Sequence, residues 1–210
     1  MCSVIVCFGD SLTAGFQSPT SENPKGRETP YGRYLQEWLG GSTEIQVSGV
    51  CGELTGEMVL RFRRDVLQQK PSHVVLLGGT NDLGWNALPA EIIKNLMKMY
   101  ESALALQIVP IPVTIPSIRV DVAGGGSDAE AWIGQHLSRR ATLNGLIQEY
   151  VLAKGLPWID LFMATVEPTT GQLAAQYSND GLHLTTAGYR LLAQLLYEQI
   201  FSRVIARVQE

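Results

Sequence analysis

Cysteine is scarce in this chain and forms no pattern. Cys2, Cys7 and Cys51 are an odd number without framework spacing, which rules out a disulfide-stapled scaffold. Cys7 falls in an apolar run, where a free thiol behaves as a small hydrophobe. Only three histidines accompany the cysteines, and no Cys/His spacing matches a zinc signature. No apolar run approaches the ~20 residues of a membrane span. Positive charge is in deficit as well. The formal net charge is −4, and Arg61, Arg63 and Arg64 lie in a helical pattern that reads as a solvated face, so a nucleic-acid partner has no support. There is no basic n-region followed by an apolar h-region at the start. That absence points to the cytoplasm, although a secreted mature chain without its signal peptide would read the same way. No repeat, low-complexity tract or linker divides the 210 residues, so 1–210 is expected to be a single domain.

What is present is an apolar content of 45% against 17% charged, enough for a substantial core. The apolar residues fall into an alternating order. Short β-branched or apolar runs at 4–8, 43–47, 74–77, 108–115 and 158–161 read as strands. Between and after them, helical spacing predicts helices over about 30–39, from 53 to Pro71, over 89–106, 130–154 and 186–208. Pro30 is placed for the first turn of its helix. Pro110, Pro112 and Pro116 interrupt the fourth strand, which a central strand would not tolerate. Three turn-rich stretches, 15–29, 119–128 (with glycines at 124–126) and 163–179, read as loops. A β-α alternation of this kind specifies a five-stranded parallel sheet with helices on both faces and right-handed crossovers.

Carboxyl ends of parallel strands share one edge, where open α/β sheets bind their ligands. Four positions meet there. Gly9, expected to release the backbone from ordinary φ limits, delivers Asp10 and Ser11 after the first strand. Gly52 follows the second strand, Asn81 the third, and Asp180 and His183 the fifth. A hydroxyl, an imidazole, a carboxylate to orient it and donors for an oxyanion are the parts that nucleophilic catalysis needs. His183 is the natural base for Ser11, and Asp180, three residues earlier, can turn back to the other ring nitrogen. The N–H groups of Ser11 and Gly52 and the Asn81 amide are candidate oxyanion donors. Taken singly, each is as easily a turn residue or a surface histidine. His73 and His136 are read only in that plain sense.

The blocks Phe8-Gly9-Asp10-Ser11-Leu12-Thr13, Ser48-Gly49-Val50-Cys51-Gly52, Gly78-Gly79-Thr80-Asn81-Asp82 and Asp180-Gly181-Leu182-His183-Leu184-Thr185 occur in the order found in the SGNH (GDSL) hydrolase family. The chain resembles that family over nearly its full length. The second block departs from the pattern at Ser48 and Cys51 but keeps Gly52. The resemblance implies a flavodoxin-like three-layer α/β/α sandwich. It also implies Ser11 as nucleophile, His183 as base, Asp180 as its partner, and Ser11, Gly52 and Asn81 as the oxyanion hole. It implies neither a metal nor an organic cofactor.

The expected reaction is hydrolysis of a small-molecule carboxylic ester through an acyl-Ser11 intermediate. Short-chain acyl or aryl esters suit a cleft taken to be apolar and free of basic clusters, while thioesters, lysophospholipids and O-acetylated sugars are the family's alternatives. Asp10, Leu12, Trp85 and Ile118 are the candidate substrate-binding residues, with Phe16 and Leu83 as further apolar candidates. The chain has no G-x-S-x-G elbow and no G-x-x-x-x-G-K-[ST] loop, which argues against an ordinary α/β-hydrolase and a nucleotide binder. A non-catalytic binder of the same fold has no need for Ser11, Asp180 and His183 together.

Overall fold

The computed structural model describes residues 3–120 and 126–202. The chain opens on strand β1 (Ser3–Gly9), followed by the single helical turn α1 (Ser11–Ala14). A two-stranded antiparallel ribbon comes next, β2 (Phe16–Gln17) with β3 (Arg27–Glu28), and then helix α2 (Tyr31–Leu39). Strand β4 (Thr43–Gly49) leads to α3 (Thr55–Asp65), and β5 (His73–Leu77) to the short α4 (Thr80–Gly84) and the longer α5 (Pro89–Leu104). After β6 (Val109–Pro112) come α6 (Gly126–Lys154), the short α7 (Leu161–Thr165) and α8 (Thr186–Leu196).

The main sheet is parallel, in the order β4-β1-β5-β6. Strand β1 lies inside it, and Val6, Cys7 and Phe8 are fully buried, as a strand covered on both faces requires. Burial pushes the Cys7 thiol up to about 12, so it packs as an apolar side chain. The helices form two groups, α2 with α8 and α3 with α5 and α6, flanking the sheet. Each buries residues at helical spacing: Tyr31, Leu35 and Leu39 on α2, Ile92, Leu96, Met99 and Ala103 on α5.

Among the described residues, four strands of the main sheet stand where five were expected, and the prolines of β6 explain the difference. The N–H groups of Val109 and Val113 donate to Ser72 O and Leu76 O at 3.0 and 3.1 Å. Strand alternation therefore turns the nitrogens of Pro110 and Pro112, which have no hydrogen to give, toward the outer edge. β6 is accordingly an edge strand of the main sheet. The segment expected as a fifth strand, 158–161, finds few donors there. It makes one parallel bridge, Ile159 with Val113, held by Ile159 N–H to Pro112 O and Thr114 N–H to Ile159 O, both 3.0 Å.

Other boundaries move for local reasons. Pro30 is the residue before α2 rather than part of its first turn. The helix expected from 53 to Pro71 ends at Asp65 and continues as a 3₁₀ turn, Leu67–Gln69. The stretch 15–29 is not a bare loop, because the β2–β3 ribbon closes it, with Thr29 N–H on Gly15 O at 2.8 Å. The stretch 163–179 is structured too, by α7, a 3₁₀ turn at Ala175–Tyr177 and a bridge between Val166 and Leu173. Helix α6 begins at Gly126, inside the expected 119–128 loop, whose residues 121–125 lie outside the described residues. The final helix passes into one π turn, Tyr197–Phe201, and its expected continuation over 203–208 also lies outside them, as does Cys2.

Gly9 is required for a reason other than the one expected. Its φ is not positive, but a Cβ there would stand 2.1 Å from Leu77 O and 2.4 Å from Thr13 Oγ1. Space, not backbone freedom, excludes a side chain.

Tyr100 on α5 buries its hydroxyl without a hydrogen-bond partner among the described residues. An unsatisfied buried polar group costs about 1–3 kcal/mol. Tyr100→Phe should therefore raise the free energy of unfolding in urea by about 1 kcal/mol. A loss of stability would show that the hydroxyl is satisfied.

Candidate active site

The turn after β1 is built by Asp10. Its Oδ1 accepts the Leu12 N–H at 2.9 Å, and its carbonyl accepts the N–H groups of Thr13 and Ala14, both at 3.0 Å. This capping starts α1 at once and places Ser11 as its first residue, only 3% exposed. The turn after β4 is joined to the same edge through Val50 N–H on Gly9 O at 3.0 Å. Gly52 lies in that turn at φ 79°, and a Cβ there would meet nothing within 4 Å. The positive φ, not crowding, is what calls for glycine. After β5, the Asp82 carboxylate accepts Thr55 N–H at 3.0 Å and Thr55 Oγ1 at 2.6 Å, tying α4 to the start of α3. The neighbouring Asn81 directs its amide Nδ2 to Glu53 O at 2.9 Å, beside Gly52.

The imidazole arrives from the far end of the chain. Asp180 Oδ1 accepts the N–H groups of Leu182 and His183 at 2.9 and 2.8 Å, a tight turn that brings its other oxygen round to the ring. Oδ2 is 2.7 Å from His183 Nδ1, and His183 Nε2 is 3.0 Å from Ser11 Oγ. Phe16 of the ribbon packs edge-on against the imidazole at 4.7 Å, and Ser18 donates to Asp180 Oδ2. The structure thus brings Ser11, His183 and Asp180 into one continuous line. It also sets Asn81 against the backbone next to Gly52.

The two acids of the site have opposite environments. Partial burial disfavours ionisation of Asp180, but hydrogen bonds from His183, Ser18 and the backbone N–H groups of Leu182 and His183 outweigh it and hold its carboxyl well below the usual range. Asp10 is fully buried; the loss of water pushes it up to about 7, against the hydrogen bond from Leu12, and its Oδ2 has no partner. A carboxylate so oriented can hold one tautomer of a histidine and stabilise its cation, while the imidazole accepts a proton from the hydroxyl.

Not every expected contact residue faces the cleft. Asp10 and Leu12 are fully buried beneath the turn, so their side chains belong to the core and not to substrate binding, and Leu83 is likewise core. Trp85 and Ile118 do line a cleft of about 450 Å³, together with Asn81, His136, Arg140, Asp180 and others. Against the expectation of a cleft free of basic clusters, Arg119, His136 and Arg140 all line it, and His136 is a buried wall residue rather than an incidental one. Among the described residues, no group of three or more His, Cys, Asp or Glu side chains is placed to hold a metal ion.

Arg61 was misread as part of a solvated face. Its guanidinium reaches Glu53 (Nε to Oε1, 2.6 Å), Asp65 (3.0 Å), Ser48 Oγ (2.7 Å) and Gly9 O (2.9 Å), and lies 4.1 Å above the Phe8 ring. Its i,i+4 spacing to Asp65 is visible in the sequence, but burial against strand ends is not.

The model of the GDSL-like Lipase/Acylhydrolase family matches residues 7–191 of the chain. Among solved structures, the lipase/acylhydrolase from Enterococcus faecalis is 29% identical, with 96% of each chain covered and a TM-score of 0.71. The native aryl esterase of M. smegmatis and Est24, a carbohydrate acetylesterase from Sinorhizobium meliloti, share the fold. Each is 18% identical, covers 95% of this chain and 99% of its own, and gives a TM-score of 0.74. An uncharacterized lipoprotein of Bacillus subtilis (strain 168), YqeF, is 36% identical over 78 residues, 37% of this chain. That match spans only 31% of YqeF.

Two outcomes test the electrostatic framework. Removing one member of a buried ion pair costs about 3–5 kcal/mol, so Arg61→Met should lose that much stability in urea unfolding, and adding Glu53→Gln should recover part of it. A loss below about 1 kcal/mol would show the clamp to be dispensable. For Asp10, the folded value of about 7 lies above the unfolded carboxylate range near 4. The native state keeps a proton that the unfolded chain has released, so stability falls as pH climbs from about 4 to about 7 and then levels. Asp10→Asn should remove this slope, gaining on the wild type across that window in melting experiments. A difference independent of pH would contradict the assignment.

Proposed function

The chain belongs to the GDSL-like Lipase/Acylhydrolase family, and from that premise we propose that it hydrolyses carboxylic esters, short-chain acyl or aryl esters first, through an acyl intermediate on Ser11. The observation that carries this reading is the unbroken line from Ser11 Oγ to His183 Nε2 (3.0 Å) and from His183 Nδ1 to Asp180 Oδ2 (2.7 Å).

Each step uses a group already in position. His183 takes the hydroxyl proton as Ser11 Oγ attacks the ester carbonyl, and the Asp180 carboxylate, held ionised, stabilises the imidazolium. Negative charge then develops on the former carbonyl oxygen. Three donors suit it: the N–H of Ser11, which no helical hydrogen bond uses, the N–H of Gly52, and the second hydrogen of Asn81 Nδ2, the first being taken by Glu53 O. Each such donor is worth about 3 kcal/mol in the transition state. Collapse breaks the ester C–O bond, and the alcohol leaves with the proton from His183. Water, deprotonated by the same imidazole, then attacks the acyl carbon, releases the acid and restores Ser11.

A carbohydrate O-acetyl ester is the second reading, because Trp85 at the cleft is 80% exposed and offers a flat apolar face to a ring. A non-catalytic binder is disfavoured, since ligand recognition alone gives no reason to hold His183 between a hydroxyl and a carboxylate.

The test is hydrolysis of p-nitrophenyl esters from acetyl to palmitoyl by the wild type and Ser11→Ala. Activity should be greatest on the short chains and fall at least about a thousandfold in the variant. Activity that persists in Ser11→Ala would overturn the mechanism. A wild type inert on the whole series would return the binder.

A further inference from the structure

The cleft beside the relay contains a charge that the ester mechanism does not use. Arg140, on α6, lines it and is only 2% exposed. One terminal nitrogen, Nη1, donates to Thr80 Oγ1 at 2.7 Å and to Pro116 O at 3.0 Å, both uncharged acceptors. Among the described residues, Nε is buried without a partner, Nη2 meets no protein acceptor and no carboxylate forms an ion pair with the group. The contrast with Arg61, which is paired with Glu53 and Asp65, is direct.

A buried guanidinium is costly without a counter-charge. Burial pulls Arg140 down to about 10, so it remains a cation at neutral pH. The acid that acts on it electrostatically is Asp10, itself buried and pushed up to about 7. Among the described residues, the one carboxylate lining the cleft is Asp180, which is engaged by His183 and Ser18. The half-exposed Arg119 adds a second cation to the wall, shared with Glu167 at 3.3 Å. Two indoles, Trp85 and Trp132, flank the opening, and Trp132 stacks on His136 at 4.1 Å. The wall therefore combines an uncompensated planar fork with flat apolar faces.

We propose that this cleft is a subsite for a carboxylate carried by the ester substrate on a flat ring or short chain, with Arg140 as its charge partner and Trp85 against the ring. The proposal rests on the ester-hydrolase reading and deepens it. It replaces the short-chain acyl or aryl ester of that reading with one bearing an acid group within reach of the α6 wall. Arginine suits the role because its remaining nitrogens present donors in a plane that matches a carboxylate.

The test compares 4-acetoxybenzoate with methyl 4-acetoxybenzoate, in which a methyl group masks the carboxylate charge, following acetate release. Wild-type kcat/KM should favour the charged ester about tenfold or more, the scale of a charge-assisted hydrogen bond. Arg140→Gln should bring that ratio close to one, and Arg140→Lys should recover part of it. Because the ratio is internal to each protein, a general loss of activity does not imitate the result. If Arg140→Gln does not fold, the wild-type ratio decides, together with inhibition by 4-hydroxybenzoate measured against its methyl ester. Equal hydrolysis of both esters, or a preference kept in Arg140→Gln, would overturn the subsite and leave the esterase standing. Hydrolysis of neither ester, with calorimetric binding of 4-hydroxybenzoate over its methyl ester, would overturn the esterase and support the subsite. Neither hydrolysis nor binding would overturn both.

Discussion

The edge of the sheet depends on one guanidinium. Arg61 on α3 bonds the last carbonyl of β1, Gly9 O, at 2.9 Å, and the side chain of Ser48 near the end of β4 at 2.7 Å. It also holds Glu53 at the entry to α3 and lies over the Phe8 ring. The end of β1 is thus held to the distant turn between β4 and α3 by one planar group whose donors leave in different directions. Glu53 passes the constraint on, since its carbonyl accepts the Asn81 amide at 2.9 Å. The position of a candidate oxyanion donor after β5 therefore follows from an ion pair formed at α3. Buried pairs of this kind add little net stability over apolar packing, but they tolerate no loss of one partner.

The opposite side of the site is held by backbone capping rather than by charge. Asp180 uses one oxygen on two N–H groups of its own turn and the other on the imidazole. The same carboxylate that would steady His183 chemically therefore also builds the loop that carries it. Phe16 contributes from the β2–β3 ribbon, a segment that looked like plain loop, by resting its ring against the imidazole. The ribbon limits how far the ring can swing, which matters because proton transfer needs the imidazole within hydrogen-bond reach.

Four ionisable side chains near the relay show how environment divides like groups. Asp180 has donors around it and stays an anion, whereas Asp10 lacks water and a partner for Oδ2 and is drawn toward neutrality. Arg61 meets acids, and Arg140 meets only neutral oxygens. Within each pair the residue type is the same and only the neighbours differ.

The alternation of strands and helices was legible because the apolar period is local, and the four blocks at the strand ends were legible because turn chemistry and residue order are written along the chain. The sequence by itself determined the parallel order of elements, the edge at which Ser11, Asn81 and His183 meet, and even the weak point of the sheet, since prolines at 110 and 112 cannot donate to a further strand. It did not show that Asp10 and Leu12 lie beneath the turn, that Arg61 faces inward, or that a second arginine is buried in the cleft wall. Those were decided only by the tertiary structure. Burial depends on which elements the crossovers bring together, as they bring Arg61 to Gly9 and Arg140 to Thr80, and no local period encodes that.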